Sequence, residues 1–322
     1  MIIGIDETGA FSINKHKKFG LITLVSATDT EWNNFQLFLN SKLPHAFRNI
    51  KGSSITFANR EMILKYIGKH PEIKYTTFLY DLTFGSDNQV QEHKTKQMLK
   101  IHEWNLDNLS IAHPKLIDEL ELLRRHIYNL SNDDYAKYFF ITETLIEWKQ
   151  YFLFDYMRTH FSRDNWKMKF VIDTQNKPEK FKGLIKKTMQ LTTNSLSSKV
   201  RIYIPDEWSN NHPFLENYSA LGNINLQDGR KFFEDFSIGN EQMNNILFLP
   251  DLIGNTVYNS ILNSNDTKWL RILARIKQNR SMTMIRNGKK DYYYLILGFA
   301  GNNMPIHTDI SITKHFINMK RY

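Results

Sequence analysis

The run Met1-Ile2-Ile3-Gly4-Ile5-Asp6-Glu7-Thr8-Gly9 constrains this chain more than any other stretch. It reads as an apolar β-strand that stops at two adjacent carboxylates, with turn chemistry in Thr8-Gly9 directly after them. A strand this apolar belongs inside a central sheet, which holds its end rigidly and so can present a metal ligand. Successive strand side chains point to opposite faces, so Asp6 and Glu7 do not share one. Asp6 is the primary candidate and Glu7 the accessory one. The plainer reading is a strand running into a polar hairpin.

Two further segments repeat the theme. Trp166-Lys167-Met168-Lys169-Phe170-Val171-Ile172-Asp173 is another apolar strand ending in Asp, followed by the polar Thr174-Gln175-Asn176-Lys177. Downstream, Ile246-Leu247-Phe248-Leu249-Pro250-Asp251-Leu252-Ile253-Gly254 leads into a helix expected over Asp251–Leu262. Pro250 is tolerated in a first helical turn, where the helix dipole also favours a carboxylate such as Asp251. Two strand-end aspartates and one helix-borne aspartate are the ingredients of a two-metal phosphoryl-transfer site, with cations roughly 3.5–4 Å apart. Carboxylates that close repel, so without cations at least one is expected to have a raised pKa.

Asp6-Glu7-Thr8-Gly9 resembles the Asp-Glu-Ser-Gly opening of a bacterial group, the domain of unknown function numbered 3800. Val171-Ile172-Asp173 is similar to its middle strand-end Asp, and Phe248–Asn255 resembles its late Gln-Leu-Ala-Asp-Leu-Ile-Ala-Gly segment. The likeness rests on three short motifs between Met1 and about Asn263. It departs at Thr8 in place of Ser, and at Phe248 and Pro250 in place of Gln and Ala. The resemblance implies membership of the ribonuclease H-like superfamily, with the two carboxyl-bearing strand ends side by side in a mixed sheet. It also implies Mg²⁺ or Mn²⁺ held by Asp6, Asp173 and Asp251, Glu7 assisting, in a nuclease that cuts DNA or RNA. The setting it suggests is prokaryotic defence or a mobile element, with a partner protein encoded nearby.

Charge is segregated along the chain. From Asn265 to Tyr322 there are 11 Lys and Arg against 3 Asp and Glu, so nearly all of the net charge of +9 lies in this segment. Lys268, Arg271 and Arg275 are spaced i, i+3, i+7 on one face of a helix expected over Lys268–Lys277. With Trp269 and Tyr292-Tyr293-Tyr294 nearby, this face suits a nucleic-acid backbone and its stacked bases. Lys268, Arg271, Arg275 and Lys277 are therefore candidate nucleic-acid contacts. Lys182, with Lys186 and Lys187, follows Asp173 on the next helix and is a further candidate near a scissile phosphate. The competing reading is a solvated basic face beside a strand whose tyrosines pack inside.

The remaining pattern gives an α/β fold. Strands are expected at Met1–Asp6, Phe19–Ala27, Ile73–Leu82, Trp166–Asp173, Val200–Ile204 and Tyr292–Phe299. A basic hairpin at Lys15-His16-Lys17-Lys18 joins the first two. Helices are expected at Thr30–Leu43, Asn59–Lys69 and Lys180–Leu191, with a helical insert over 88–160. With the ribonuclease H-like fold that the resemblance implies, the domain covers 1–264 and is followed by a basic segment, 265–322, packed on the same domain.

Rival chemistries find little footing. With no cysteine, thiolate metal sites and cysteine nucleophiles are excluded. There is no phosphate-cradling glycine loop, no Gly-x-Ser-x-Gly elbow and no His-Glu-x-x-His helix. His126 and His160 read as structural, and Glu143 and Glu147 as a solvated helix face. The longest apolar stretches fall well short of a bilayer span, and no signal peptide is visible, so a cytoplasmic protein without a membrane partner is expected. Two alternatives stay open: a catalytically inactive nucleic-acid-binding or scaffold protein on the same fold, and a metal-dependent hydrolase of nucleotides.

Overall fold

The computed structural model describes residues 1–9, 19–43, 51–81, 87–108, 114–159, 169–172, 183–189, 215–218, 224–227, 236–238, 244–263, 265–269, 271–272, 284–286, 289–291 and 296–297. The expected basic hairpin and the strand over Val200–Ile204 lie outside these residues.

The continuous apolar, β-branched run of the opening residues makes β1 (Ile2–Thr8), and Gly9, at φ 96°, closes it in a left-handed conformation open to glycine. β2 (Phe19–Ala27) runs antiparallel to β1, and β3 (Lys74–Asp81) antiparallel to β2. β4 (Lys169–Ile172) joins the other side of β1 in parallel, with Ile3 opposite Phe170 and Ile5 opposite Ile172. β5 (Leu215–Tyr218) and β6 (Ile224–Gln227) form a separate antiparallel pair, and β7 (Phe236–Ile238) adds in parallel to β4. β8 (Met284–Arg286) and β9 (Lys289–Asp291) form a second antiparallel pair, and β10 (Ile296–Leu297) lies parallel to β3. The main sheet is mixed, in the order β10-β3-β2-β1-β4-β7, and β1 sits inside it with a strand on each side.

Helices cover both faces. α1 (Asp29–Lys42) and α2 (Phe57–Gly68) start at Thr28 and Thr56, whose hydroxyls accept from the amides of Glu31 and Asn59. Both begin earlier than hydrophobic periodicity alone suggests, because the capping threonine sets the start. The insert is helical as expected: α3 (Asp87–Asn108), α4 (Pro114–Tyr128) and α5 (Asn132–Thr159). α5 is no detached cover, since Trp148 meets Phe170 of β4 edge-on at 5.7 Å between ring centroids. Residues 183–189 are helical and tie back to α5 through Tyr138 and Thr188, whose hydroxyls are 2.5 Å apart.

The last long helix corrects the sequence reading. α6 spans Asn244–Leu262, so Pro250 lies well inside it and Asp251 is not in its first turn. A proline in a helix cannot bond the carbonyl four residues earlier, and here that carbonyl belongs to Ile246. It lies against Gly4 of β1, where a Cβ would come within 2.7 Å of it. The close approach of α6 to the sheet therefore needs glycine at position 4, and it occurs where the proline leaves the helix's own ladder open. On this face Leu21 and Val25 of β2, Trp32 and Phe35 of α1, Ile63 and Ile67 of α2, and Leu249, Ile253 and Val257 of α6 form one buried core. Ile272 belongs to the same core and Trp269 meets Phe57 edge-on, so the start of the basic segment packs on this domain. Among the described residues no helix is long and apolar enough to cross a membrane.

Candidate metal centre

β1 sorts its two carboxylates to opposite faces. Gly4 and Thr8 both meet α6: Gly4 lies against Ile246 and Pro250, and Thr8 against Gly254. Strand alternation gives Asp6, between them, the same face. Glu7 takes the other one and pairs with Lys137 of α5. Glu7 is thus engaged on the side of the sheet away from α6, which sets it apart from the assisting role the sequence suggested. Asp6 is half-buried and stands opposite Thr23 in the β1–β2 register, with Thr23 opposite Thr77 on β3. The hydroxyls of Thr23 and Thr77 are 3.1 Å apart, which continues a polar row from Asp6 across three strands.

Asp251 is held from two directions. Its Oδ2 accepts the Gly52 amide at 2.5 Å, and its Oδ1 accepts from Asn255 Nδ2 one turn on. Gly52 opens the short 3₁₀ turn Gly52–Ser54, and a Cβ there would come within 2.7 Å of the Leu252 backbone. The turn is therefore seated directly on α6. Burial pushes the Asp251 carboxyl above its ordinary range, while the Gly52 and Asn255 hydrogen bonds and the Lys51 and Arg60 charges pull it back down.

Arg60 escaped the sequence reading altogether. It is 2% exposed, on α2. Its guanidinium donates to Ile55 O at 3.1 Å, to Thr256 Oγ1 at 2.8 Å and to the Gly52 carbonyl. It also lies over the Trp269 ring, 5.6 Å from the centroid. A buried cation is costly unless paired or hydrogen-bonded, and this one spends its donors on the turn and the helix that flank Asp251. Nothing in local spacing marks Arg60, since its hydrogen-bond partners are up to 196 residues away. The one available signal is an arginine on the apolar side of a helix.

The other candidates divide. Asp173 follows Ile172 in the chain and lies outside the described residues, as do Lys182, Arg275, Lys277 and the tyrosines at 292–294. Lys187 pairs with Glu119 of α4, which gives it a partner away from any phosphate. Glu143 is half-buried on α5, so it is not a freely solvated position, and its charge adds in a minor way to the burial that pushes the Tyr135 and Tyr138 hydroxyls up. Lys268 and Arg271 are exposed. Trp269 is half-buried, with Phe57 edge-on to it and Arg60 over its ring.

Mg²⁺ and Mn²⁺ prefer oxygen ligands, and Asp6 and Asp251 supply carboxylates from two elements packed on one another. Each Asp251 oxygen accepts one hydrogen bond, and a carboxylate offers about four lone-pair positions, so capacity for a cation remains. Among the described residues no three acidic or histidine side chains gather around a common point, and Asp173 is not among them. No protein-family model, no curated protein and no solved structure matches this chain.

Proposed function

We propose that this protein is a ribonuclease H-like, divalent-metal-dependent nuclease with Asp6, Asp173 and Asp251 as its ligand set. The observation that carries the reading is the parallel pairing of β1 with β4, Ile5 opposite Ile172. Asp6 is the next residue after Ile5, and Asp173 is the next after Ile172. The central position of β1 and the crossing of α6 over its Asp6 face add support. The three sequence motifs point to the same bacterial group. Asp6, Asp173 and Asp251 would hold Mg²⁺ or Mn²⁺, which supplies a water of lowered pKa and charge stabilisation at the leaving oxygen. Asp251, desolvated and fixed by Gly52 and Asn255, is the pre-set member of the trio. Lys268 and Arg271, with Arg275 and Lys277, would contact the phosphate backbone.

The test is cleavage of single- and double-stranded DNA and RNA with Mg²⁺, Mn²⁺ or chelator. Metal-dependent cutting should occur and should fall at least 100-fold in Asp6→Asn and Asp173→Asn, in line with the loss of a residue the reaction needs. Cutting that survives both substitutions would remove this site. A second reading is a nucleic-acid-binding scaffold on the same fold. It is favoured by the engagement of Glu7 with Lys137 and of both Asp251 oxygens with Gly52 and Asn255. Under that reading the same assay shows binding without cutting.

A further inference from the structure

The Gly52 peptide faces both ways. Its N–H donates to Asp251 Oδ2, and its C=O accepts from Arg60. The same guanidinium holds Thr256 Oγ1 at 2.8 Å, five residues along α6 from Asp251, and Ile55 O at 3.1 Å. One buried side chain therefore fixes the turn relative to the helix, and the turn fixes the carboxylate. The positive charges of Lys51 and Arg60 also act on Asp251 and pull its raised pKa back down.

We infer that Arg60 is a positioning residue for the Asp251 carboxylate, acting through the Gly52 peptide. Its consequence at a metal rests on the proposed nuclease reading; its consequence for Gly52 does not. Lysine at position 60 keeps the charge but cannot reproduce a planar fork that reaches three acceptors at once. Release of the Gly52 carbonyl should let the turn rotate, loosening its amide from Asp251. Outer partners of this kind typically alter metal affinity by about 10–100-fold.

The experiment uses the full chain, labelled with ¹⁵N-glycine, as wild type, Arg60→Lys and Thr256→Val. Thr256→Val removes one acceptor of the same guanidinium without touching the Gly52 peptide. Two quantities are read: the Gly52 amide resonance with its exchange protection, and Mn²⁺ affinity by paramagnetic resonance. Arg60→Lys should move the Gly52 amide upfield, lower its protection and weaken Mn²⁺ binding by about tenfold. Thr256→Val should leave both where they are, even though it lowers the urea midpoint. A Gly52 amide that stays put in Arg60→Lys overturns the inference, and so does an equal shift in both variants. Should Arg60→Lys not fold, Asp251→Asn is read instead, in ¹⁵N-arginine-labelled chain, at the Arg60 Nη2–H resonance, the group that donates to the Gly52 carbonyl. Movement there supports coupling through Gly52, and no movement overturns it. A wild type that binds no Mn²⁺ while Gly52 still responds to Arg60 retires the nuclease reading and leaves the positioning role standing.

Discussion

The seam between α6 and the sheet can be probed at a single atom pair. A Cβ built on Gly254 would lie 2.4 Å from Thr8 Oγ1 and 3.0 Å from Thr23 Oγ1. Neither hydroxyl can withdraw easily: both threonines sit in strands, and Thr23 is fully buried. Gly254→Ala in an open helix would add about 1 kcal/mol of stability from propensity. Here an overpacked methyl typically costs about 1–3 kcal/mol, and a 2.4 Å contact belongs in the upper part of that range. The net expectation is a loss of about 2 kcal/mol, taken as the upper cost less the propensity gain. Thr8→Ala removes the closer oxygen, and that oxygen is buried with no hydrogen-bond partner among the described residues. The double variant should therefore recover more than half of the loss, with a coupling energy of about 1 kcal/mol or more. Urea unfolding reads this as a shift in midpoint at constant slope. A Gly254→Ala protein as stable as wild type, or additive effects in the double variant, would refute this packing of α6 on β1.

Two further outcomes follow from charge. Burial raises the Asp251 pKa, so the folded protein holds that proton more tightly than the unfolded chain does. Its stability contribution is then largest below the unfolded value of about 3.9, falls as pH rises toward the folded value, and is level above it. Asp251→Asn should flatten the urea midpoint across that window relative to wild type; parallel curves would remove the effect. For the basic segment, log affinity for duplex DNA should fall linearly with log salt, by roughly 0.9 per phosphate contacted. Reversing charge at Arg271 and Arg275 together should flatten the slope by about two contacts' worth and weaken all sequences alike. An unchanged slope would make this a solvated face.

What sequence could reveal followed the reach of its signals. β1 and β2 were legible because continuous apolar runs and the Thr8-Gly9 turn are local, and Phe19–Ala27 matched to the residue. The insert was legible as helix because 3.6-residue periodicity persists through α3, α4 and α5. The start of α6 was misjudged because Pro250 was taken as an opening signal, whereas Gly4 tolerates the carbonyl that the proline leaves open. Asp6 and Glu7 separated by face as strand geometry requires, but the partner that claims Glu7, Lys137, is set by tertiary packing. Arg60 and Gly52 stayed invisible for the same reason: their meaning lies in contacts about 200 residues distant, such as Gly52 with Asp251.

The proposed nuclease site requires Asp6, Asp173 and Asp251 to meet around divalent cations. Anomalous scattering from crystals grown with Mn²⁺ tests this. Under the proposed function, Mn²⁺ peaks should appear within reach of the Asp6, Asp173 and Asp251 carboxylates, roughly 3.5–4 Å apart if there are two, and should be lost in Asp6→Asn. Saturating Mn²⁺ with no peak at Asp6, or a peak ligated by other side chains alone, would contradict it.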